Sequence, residues 1–490
     1  MTRNLDRTPT GIPGVDDVLK GGLISHRLYL VEGDPGSGKT TFGTQFLLAG
    51  AAKGEVCLYL TLSETREELA AGAASHGWSL DGIDVIELGT EEQDLSPDAH
   101  LTMYSPSEVE LSETTRVVLE AVQKRNPTRI VFDSLSEMRL LAQSSLRYRR
   151  QILALKQFFI GRKCTVLLLD DGTAEGPDLQ LQSIAHGVIC LEQSAPLYGP
   201  ERRRLRVKKM RGSDFRGGYH DMLITEQGLI VFPRLVSAEH GTEYPQKLIT
   251  SGIRRLDDLL GGGPDRGTST LLIGPAGSGK STLSTQYVVA AAQRGEHAAI
   301  FAFDESMETM RRRTNSLGMN FDEQLESGRI SVQQIDPAQV SPGEFIQQVR
   351  HSVEERQARI VVIDSLNSYL NAMPDERFLM VQMHELLSYL GRRGVTTFLV
   401  VAQHGLLGAM QTPVDTSYLA DSVVLFRFFE AGGKVRKAVS VIKKRSGMHE
   451  SSIRELCLGS AGIELSEPLT NFRGVLTGNP HDLRVNGGIE

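Results

Sequence analysis

The chain has 490 residues and a formal net charge of −7, and 40% of its residues are hydrophobic. This length suits two domains of ordinary size, each with enough apolar content to bury a core. The acidic balance gives no global field that would favour nucleic acid or an acidic membrane as a partner. No apolar run reaches the length of a membrane span, and the N-terminal stretch MTRNLDRTPT lacks the apolar core of a signal peptide.

The four cysteines, Cys57, Cys164, Cys190 and Cys457, are scattered without the spacing of a metal site. The first three lie in or beside apolar, strand-like runs. We therefore expect buried free thiols in a reducing compartment, and a cytoplasmic protein.

The first predicted elements are a strand, a glycine-rich loop and a helix. Residues 27–31 form an apolar run that leads directly into the loop GDPGSGKT at Gly33–Thr40, and residues 41–52 have apolar side chains at helical spacing. The loop fits the pattern G-x-x-x-x-G-K-[ST], whose backbone N–H groups surround nucleotide phosphates while the Lys contacts the β/γ oxygens and the hydroxyl binds Mg²⁺. This part of the sequence predicts a site for ATP with Mg²⁺.

Three further apolar runs of the first half, residues 56–62, 130–132 and 166–169, are predicted strands. They alternate with helical segments, which is typical of a mostly parallel sheet covered by helices on both faces. In such a sheet the nucleotide lies at the carboxyl ends of the strands, where the loop opens its helix.

The second half repeats this signature. The loop GPAGSGKS at Gly274–Ser281 follows the first loop by 241 residues, residues 251–260 repeat residues 10–19, and residues 301–306 repeat residues 60–65 at the same spacing. The other elements of this half are predicted at residues 269–273 (strand), 282–294 (helix), 298–303 (strand), 360–363 (strand) and 397–401 (strand). Two such loops in duplicated surroundings indicate two nucleotide sites.

The strand that ends at Asp364 repeats the one that ends at Asp133, but here the spacing is 231 residues. The first half thus has ten extra residues, which we place in the polar stretch 91–112 and interpret as a loop. A repeat of this length indicates tandem domains. We predict an α/β chain with domains at residues 1–240 and 241–490.

The residues around position 240 have the composition of a connecting segment. Residues 236–248, VSAEHGTEYPQKL, are polar and contain Gly and Pro. We interpret them as the linker between the two domains.

Each predicted nucleotide site consists of its loop and the first helical residues. The candidates for ATP binding are Gly33, Asp34, Pro35, Gly36, Ser37, Gly38, Lys39, Thr40 and Thr41 in the first half, and Gly274, Pro275, Ala276, Gly277, Ser278, Gly279, Lys280, Ser281 and Thr282 in the second. The candidates for Mg²⁺ binding are Thr40 with Asp133, and Ser281 with Asp364. An Asp can also end a strand without binding a metal, but its recurrence after both loops, each time before Ser-Leu, favours the metal site.

Hydrolysis also needs a carboxylate that orients or deprotonates the attacking hydroxyl. The acidic residues just after the second strand of each half are the candidates: Glu64 in the first half, and Asp304 and Glu305 in the second. The alternative is a solvated carboxylate in a turn, and the recurrence of this position in both halves favours catalysis.

These motifs together resemble the KaiC-type ATPases of the RecA superfamily. The resemblance rests on the tandem P-loops, the lead-ins TGIPGVDDVL and SGIRRLDDLL, the strand ends FDSL and IDSL, and the segments KMRGS at 209–213 and FRGVLTGNP at 472–480. It covers nearly the whole chain. It implies two tandem RecA-like P-loop domains, a homohexamer in two tiers with ATP between neighbouring subunits, slow ATP hydrolysis, and Ser/Thr autophosphorylation in the second tier, as in circadian clock proteins.

The resemblance also assigns nucleotide contacts to a Lys and an Arg from the adjacent subunit. These fall on Lys209 and Arg211 in the first half and on Lys443 and Arg445 in the second. A cation presented in trans neutralises γ-phosphate charge and couples hydrolysis to assembly. A basic strand face in water is the alternative.

Two adjacent acidic residues follow the second strand in the family, and the leading one is catalytic. The second half has Asp304-Glu305, whereas the first half has Ser63-Glu64. The resemblance therefore leaves hydrolysis in the first half open, and Asp304 has a shorter reach than Glu.

The phosphorylation segment of the family aligns with the residues before Asp421. The two acceptors fall on Ser417 and Tyr418, and Thr416 lies beside them. Ser417 matches the serine of the family, while Tyr418 replaces its threonine. We expect Ser417 to be the main acceptor, with Thr416 and Tyr418 as secondary candidates.

The chain ends ten residues after Pro480, so the long activator-binding tail of the clock family is missing or very short. We therefore expect autophosphorylation that does not need a KaiA-type activator, and a KaiB-like regulator remains a candidate partner. The predicted function is that of an ATPase and serine/threonine autokinase in a clock-like or signalling role.

Two alternatives remain. One is a RecA- or DnaB-like motor on DNA, which would need basic loops facing a central channel. The net charge of −7 and the absence of an added DNA-binding module disfavour it. The other is a signalling scaffold in which the nucleotide switches partner binding with little kinase activity.

Overall fold

The structure, a computed structural model, describes residues 6–88, 106–171, 179–196, 199–371, 378–403, 418–476 and 480–483. The chain divides into two compact units, Met1–Arg234 and Leu235–Glu490. Within the described residues, no helix is both long and apolar enough to cross a membrane.

The first unit alternates strands and helices up to its last four strands. Its strands are β1 (Arg7–Thr8), β2 (Leu23–Ile24), β3 (Leu28–Gly33), β4 (Cys57–Thr61), β5 (Ile83–Glu87), β6 (Arg129–Asp133), β7 (Thr165–Asp170), β8 (Gly187–Ser194), β9 (Arg202–Met210), β10 (Tyr219–Thr225) and β11 (Gly228–Phe232). Its helices are α1 (Val15–Val18), α2 (Lys39–Ala51), α3 (Arg66–Ser75), α4 (Pro106–Arg125), α5 (Leu135–Ala142), α6 (Ser145–Gly161) and α7 (Leu179–Ile184).

The second unit repeats this order. Its strands are β12 (Ser269–Gly274), β13 (His297–Ala302), β14 (Ile330–Gln334), β15 (Ala358–Asp364), β16 (Thr396–Ala402), β17 (Ser422–Ala431), β18 (Lys434–Lys444), β19 (Arg454–Gly459), β20 (Gly462–Pro468), β21 (Phe472–Arg473) and β22 (His481–Asp482). Its helices are a 3₁₀ turn (Ser237–Glu239), α8 (Arg254–Leu259), α9 (Lys280–Gln293), α10 (Met307–Ser316), α11 (Phe321–Glu326), α12 (Pro342–Glu354), α13 (Leu366–Asn371) and α14 (Leu379–Arg392).

Each unit has one large sheet, and the strand order of the two sheets is the same. In the first unit the order is β5-β4-β6-β7-β3-β8-β9-β10-β11, and in the second it is β14-β13-β15-β16-β12-β17-β18-β19-β20. In the first sheet, neighbouring strands in the part β5-β4-β6-β7-β3-β8 pair in parallel, and neighbouring strands in the part β8-β9-β10-β11 pair antiparallel. The α/β fold with a mostly parallel sheet in each half is therefore confirmed.

Helices cover both faces of each sheet, because the parallel strands are apolar on both sides. On one face of the first sheet, Phe42 and Phe46 of α2 pack against Val131 and Leu169. On the other face, Ile152 of α6 belongs to a second apolar cluster. All carboxyl ends of the parallel strands thus lie at one edge, and the loops that follow them meet there.

The structure bears on two predictions about connecting segments. Within the predicted loop 91–112, residues 106–112 belong to helix α4, so that part of the prediction is wrong, and residues 91–105 lie outside the described residues. The predicted linker 236–248 directly follows the boundary between the units and is hydrogen-bonded to the second unit: the Ser237 N–H donates to the Glu385 carboxylate at 3.1 Å, and the Thr242 N–H donates to the Arg392 carbonyl at 3.1 Å. The structure divides the chain after Arg234, six residues before the predicted boundary.

A buried arginine ties the first sheet to the helix that follows the P-loop. Arg129 has no exposed surface, donates to both Glu55 oxygens at 2.8 and 3.0 Å, and donates to the carbonyls of Pro9 (2.9 Å) and Phe46 (2.8 Å). Strand pairing shows that its true counterpart in the second unit is Ile360, since Cys57 pairs with Arg129 as Ala298 pairs with Ile360. Arg359, which matches it by letter, lies one position away.

We predict that Arg129→Met destabilises the first unit by about 3 kcal/mol, because it leaves the partly buried Glu55 carboxylate and two carbonyls without their donor. Arg359→Met is the matched control: Arg359 is only half-buried, and its removal should cost about 1 kcal/mol or less. Urea unfolding followed by circular dichroism measures both. Equal losses for the two variants would contradict the structural role of Arg129.

Candidate functional site

The glycine-rich loop of the first unit turns sharply from strand β3 into helix α2. Gly36 and Gly38 have φ values of +80° and +102°, which favour glycine. A Cβ on Gly33 would lie 2.3 Å from the Leu191 carbonyl oxygen of the neighbouring strand, so only glycine fits there. Helix α2 begins at Lys39 with no side-chain cap, so its first N–H groups are available to an anion.

The second loop has the same geometry. Gly277 and Gly279 have φ values of +74° and +107°. A Cβ on Gly274 would lie 2.6 Å from the Phe426 carbonyl oxygen, and helix α9 begins at Lys280 without a side-chain cap. Both loops therefore fit the phosphates of a nucleotide. Thr41 and Thr282, the last predicted residues of each site, lie in the first turn of their helices.

The lysine of each loop folds back on the loop. Lys39 Nζ donates to the carbonyl oxygens of Gly33 (2.7 Å) and Asp34 (2.9 Å), and forms an ion pair with Asp171 at 3.0 Å. Lys280 Nζ donates to the carbonyl oxygens of Gly274 (2.9 Å) and Pro275 (2.7 Å). Burial lowers the pKa of the Lys280 ammonium to about 8.

The predicted Mg²⁺ ligands meet in both units. Thr40 Oγ1 donates to Asp133 at 3.1 Å, and the Tyr59 hydroxyl donates to the same carboxylate oxygen at 2.6 Å. Burial raises the pKa of the Asp133 carboxyl, and these two hydrogen bonds act in the opposite direction. In the second unit burial raises the pKa of Asp364, against a hydrogen bond from Ser281. A hydroxyl beside a carboxylate supplies the hard oxygen ligands that Mg²⁺ prefers, so these residues fit a Mg²⁺ shared with nucleotide phosphates.

The candidate catalytic carboxylates of the second unit are both held by side chains. Asp304 accepts hydrogen bonds from Ser365 (2.7 Å) and Ser368 (2.5 Å), the residues that follow Asp364. Glu305 forms a two-point ion pair with Arg313, at 2.8 and 2.9 Å. Asp304 thus lies beside the strand end that carries the predicted Mg²⁺ ligand Asp364, and Arg313 neutralises the neighbouring Glu305.

The candidate carboxylate of the first unit has a different environment. Glu64 corresponds to Glu305, but Gly72 stands where the second unit has Arg313. Burial raises the pKa of the Glu64 carboxyl, and the nearby charges of Asp133 and Glu68 raise it further. Its backbone is fixed, since the Glu64 N–H donates to Thr61 Oγ1 at 3.0 Å.

Sequence reasoning missed Asp171, Tyr59, Arg313 and the serines after Asp133 and Asp364, the predicted Mg²⁺ ligands. Asp171 follows strand β7, and the pair Asp170-Asp171 at the end of an apolar run was the signal that could have revealed it. Arg313 and Tyr59 lie inside a helix and a strand with no motif around them, and only the tertiary structure brings them to the site.

The predicted basic pair of the first unit lies away from the P-loop of its own chain. Lys209 pairs with Val188, and Val188 pairs with Leu30, three residues before Gly33 and toward the amino edge of the sheet. There Lys209 Nζ donates to the Ala185 carbonyl oxygen at 2.8 Å. The neighbouring Arg211 donates to the carbonyl oxygen of Ser183 at 2.8 Å. This pair and its own P-loop therefore lie toward opposite edges of one sheet.

The second unit repeats this arrangement. Lys443 donates to the Ala420 carbonyl oxygen at 2.8 Å, and Arg445 donates to the Tyr418 carbonyl oxygen at 3.2 Å. Asp421 lies in the same region, where its carboxylate accepts a hydrogen bond from the Ser269 N–H at 2.9 Å, at the start of β12. The basic pair thus contacts the backbone of the predicted acceptor Tyr418 and of Ala420, two residues later.

Of the three predicted acceptors, the structure describes only Tyr418. Its side chain is exposed, and it lies toward the amino edge of the sheet, away from the P-loop of its own unit. Thr416 and Ser417 lie outside the described residues.

Comparison with known proteins agrees with this arrangement of two sites. The family model described as "ATPase: KaiC" matches residues 8–236 and 249–470, which is most of both units. The chain belongs to the KaiC family of ATPases. The resemblance drawn from the motifs is thereby confirmed.

Individual KaiC relatives are similar over almost their whole length. The circadian clock protein KaiC3 of Synechocystis sp. is 26% identical over 98% of this chain and 95% of its own length. The circadian clock oscillator protein KaiC of Synechococcus elongatus is 27% identical over 97% of this chain and 92% of its own. The circadian clock oscillator protein KaiC of Thermosynechococcus vestitus is 26% identical over 99% of this chain and 93% of its own length.

We predict that the two KaiC-type loops bind one nucleotide each. Lys39→Ala and Lys280→Ala should each lower the stoichiometry of a non-hydrolysable ATP analogue from two to one per chain, because each removes the ammonium from one phosphate site. Equilibrium dialysis measures this. The double variant should bind none, and retention of two nucleotides by either single variant would contradict the assignment.

We also predict that the second site weakens as pH rises. Since the pKa of Lys280 is about 8, binding of phosphates above that pH requires uptake of a proton, and the Kd should rise by up to about tenfold per pH unit. The measurement is the nucleotide Kd of Lys39→Ala protein between pH 6.5 and 9.5.

The first site, measured in Lys280→Ala protein, is the reference for this pH series. An equal loss of affinity at both sites would show that Lys280 is not the cause.

Proposed function

We propose that this chain assembles with its own copies into an ATP-hydrolysing ring whose second unit phosphorylates itself on Ser417. In this proposal the first unit, predicted from the sequence as residues 1–240 and bounded by Met1 and Arg234 in the structure, holds nucleotide and supports ring assembly. The second unit, predicted as residues 241–490 and bounded by Leu235 and Glu490, carries the kinase. The observation that carries the proposal is the separation of complementary parts at opposite edges of each sheet.

Each unit has a P-loop with Mg²⁺ ligands at one edge and a basic pair toward the other. One chain cannot join these parts, because the sheet between them is a packed, rigid element. A second copy placed head to tail can bring Lys443 and Arg445 to the γ-phosphate at Lys280. Head-to-tail contacts of this kind close into rings. The family resemblance supports six copies.

The same geometry supports transfer between subunits. Tyr418 lies next to the Lys443–Arg445 pair, so Ser417 would reach a neighbour's nucleotide together with that pair. In the transfer, the Ser417 hydroxyl oxygen bonds to the γ-phosphorus while the bond to the β–γ bridging oxygen breaks. ADP leaves with that electron pair, and the hydroxyl proton passes to a carboxylate.

Asp304 is the carboxylate we assign to this proton, because Ser365 and Ser368 hold it beside the Mg²⁺-binding strand end. With water in place of Ser417 the same step is hydrolysis. Mg²⁺ at Ser281 and Asp364 would neutralise the developing phosphate charge. Glu305 stays paired with Arg313, so the negative charge next to Asp304 is neutralised.

The names of the relatives support a regulatory role. Those compared above are named circadian clock proteins. We propose that nucleotide and phosphate state set the output of this protein in a clock-like or signalling pathway. A KaiB-like protein is the partner class we propose for reading that state.

The deciding experiment uses ATP labelled at the γ-phosphate, with Mg²⁺. We predict label on the protein for wild type and Lys39→Ala, and none for Lys280→Ala, because in the proposed ring the acceptor segment of one copy meets the second site of its neighbour. Ser417→Ala should lose most of the label, which phosphopeptide mapping across residues 412–427 measures.

Asp304→Asn is the matched variant for the chemistry. It should keep nucleotide binding and lower the rate of labelling at least tenfold. Free phosphate without label on the protein would contradict the kinase and leave an ATP-driven ring.

A further inference from the structure

The two sites hold a carboxylate beside the Mg²⁺-binding aspartate by different routes. In the second unit Asp304, at the end of β13, accepts a hydrogen bond from Ser365, the residue after Asp364. In the first unit the corresponding position is Ser63, which has no carboxylate. The first site therefore lacks the group that holds this place in the second.

Asp171 supplies a carboxylate from the other neighbouring strand. Strand β6, which ends at Asp133, lies between β4 and β7, and Asp171 directly follows β7. The serines after Asp133 turn toward it: Ser136 Oγ donates at 3.0 Å and Ser134 Oγ lies at 3.4 Å. Ser134 corresponds to Ser365, so the same serine holds a carboxylate in both units, but from opposite sides.

The backbone at this point is held in a similar way in both units. Ala402 stands where the first unit has Asp171. The Asn367 side chain fixes Ala402 by two hydrogen bonds, at 2.7 and 3.0 Å, and Ser136 Oγ accepts one from the Asp171 N–H at 3.3 Å. Ala402 is the last residue of β16 and Asp171 directly follows β7, so the two positions correspond, and the second unit has no carboxylate there. The first unit thus has Ser63 and Asp171 at the two positions where the second unit has Asp304 and Ala402. Each unit has a carboxylate at one of these positions, but not at the same one.

The contacts of Asp171 place it at the phosphate end of the site. It lies 3.0 Å from Lys39 Nζ, the ammonium that meets the β/γ oxygens in a P-loop. About a third of its side chain is exposed, so water can reach it.

We propose that Asp171 is the catalytic carboxylate of the first ATP site, in place of the residue that Ser63 has lost. The proposal rests on the ATP hydrolysis proposed above. Asp171 orients the attacking water, whose oxygen bonds to the γ-phosphorus as the bond to the β–γ bridging oxygen breaks. ADP leaves with that electron pair, and the proton passes to Asp171 and then to solvent.

The test uses full-length protein in the Lys280→Ala background, where only the first site turns over. We expect Asp171→Asn to lower kcat at least tenfold while the Kd of a fluorescent, non-hydrolysable ATP analogue stays equal or falls, since Lys39 loses a competing partner. Adding Ser63→Glu should restore turnover, because it returns a carboxylate at the place used by Asp304. Ser63→Gln, the matched control, should not.

Three results would overturn the proposal. One is an unchanged or higher kcat with tighter binding, which would make Asp171 only a counter-ion of Lys39. Another is failure of Ser63→Glu to restore turnover, or equal restoration by Ser63→Gln. The third is loss of all hydrolysis in Lys280→Ala alone, which would contradict this proposal and leave ATP hydrolysis by the second unit standing. Wild-type protein without any hydrolysis would instead contradict the proposed function.

Discussion

The turn from the central strand into the helix behind it is the constraint on which each unit depends. The neighbouring strand approaches so closely that a Cβ at Gly33 would lie 2.3 Å from a carbonyl oxygen, and one at Gly274 would lie 2.6 Å from another. In this turn the helix after the loop begins at the carboxyl edge of the sheet, and its first N–H groups point away from that edge. Since all parallel strands end at that edge, the side chains after β4, β6 and β7 are directed to the same small volume.

The parts that could be predicted from the sequence are those with local causes. The P-loops follow from glycine positions, the strands from apolar runs, and the Asp133 and Asp364 positions from a repeated strand end. The parts that could not be predicted depend on strand order. Nothing near Asp171 in the sequence says that β7 lies beside β6, and no motif marks Arg313, in α10, as the partner of Glu305.

Repetition in the sequence is a good guide to topology, but a single matching letter is a poorer guide to register. An Arg begins the apolar run in both halves, at Arg129 and Arg359, yet the 231-residue spacing and the strand pairing both align Arg129 with Ile360. The two arginines accordingly have different environments, one fully buried with Glu55 and one half-buried. A one-residue shift in a strand moves a side chain to the other face, so matching letters do not establish matching roles.

The two nucleotide sites have similar backbone geometry but different charged side chains, and this difference favours different roles for them. Around the first P-loop, Lys39 forms an ion pair with Asp171 and acts on the Asp133 carboxylate, and Glu64 lies near Asp133. The second site has an equal number of carboxylates but adds Arg313. A nucleotide entering the first site therefore meets more uncompensated negative charge, and its binding must rely more strongly on the divalent cation that comes with it. Under the proposed function, the second site, where Arg313 pairs with Glu305, would be the one that holds phosphate while a protein hydroxyl approaches.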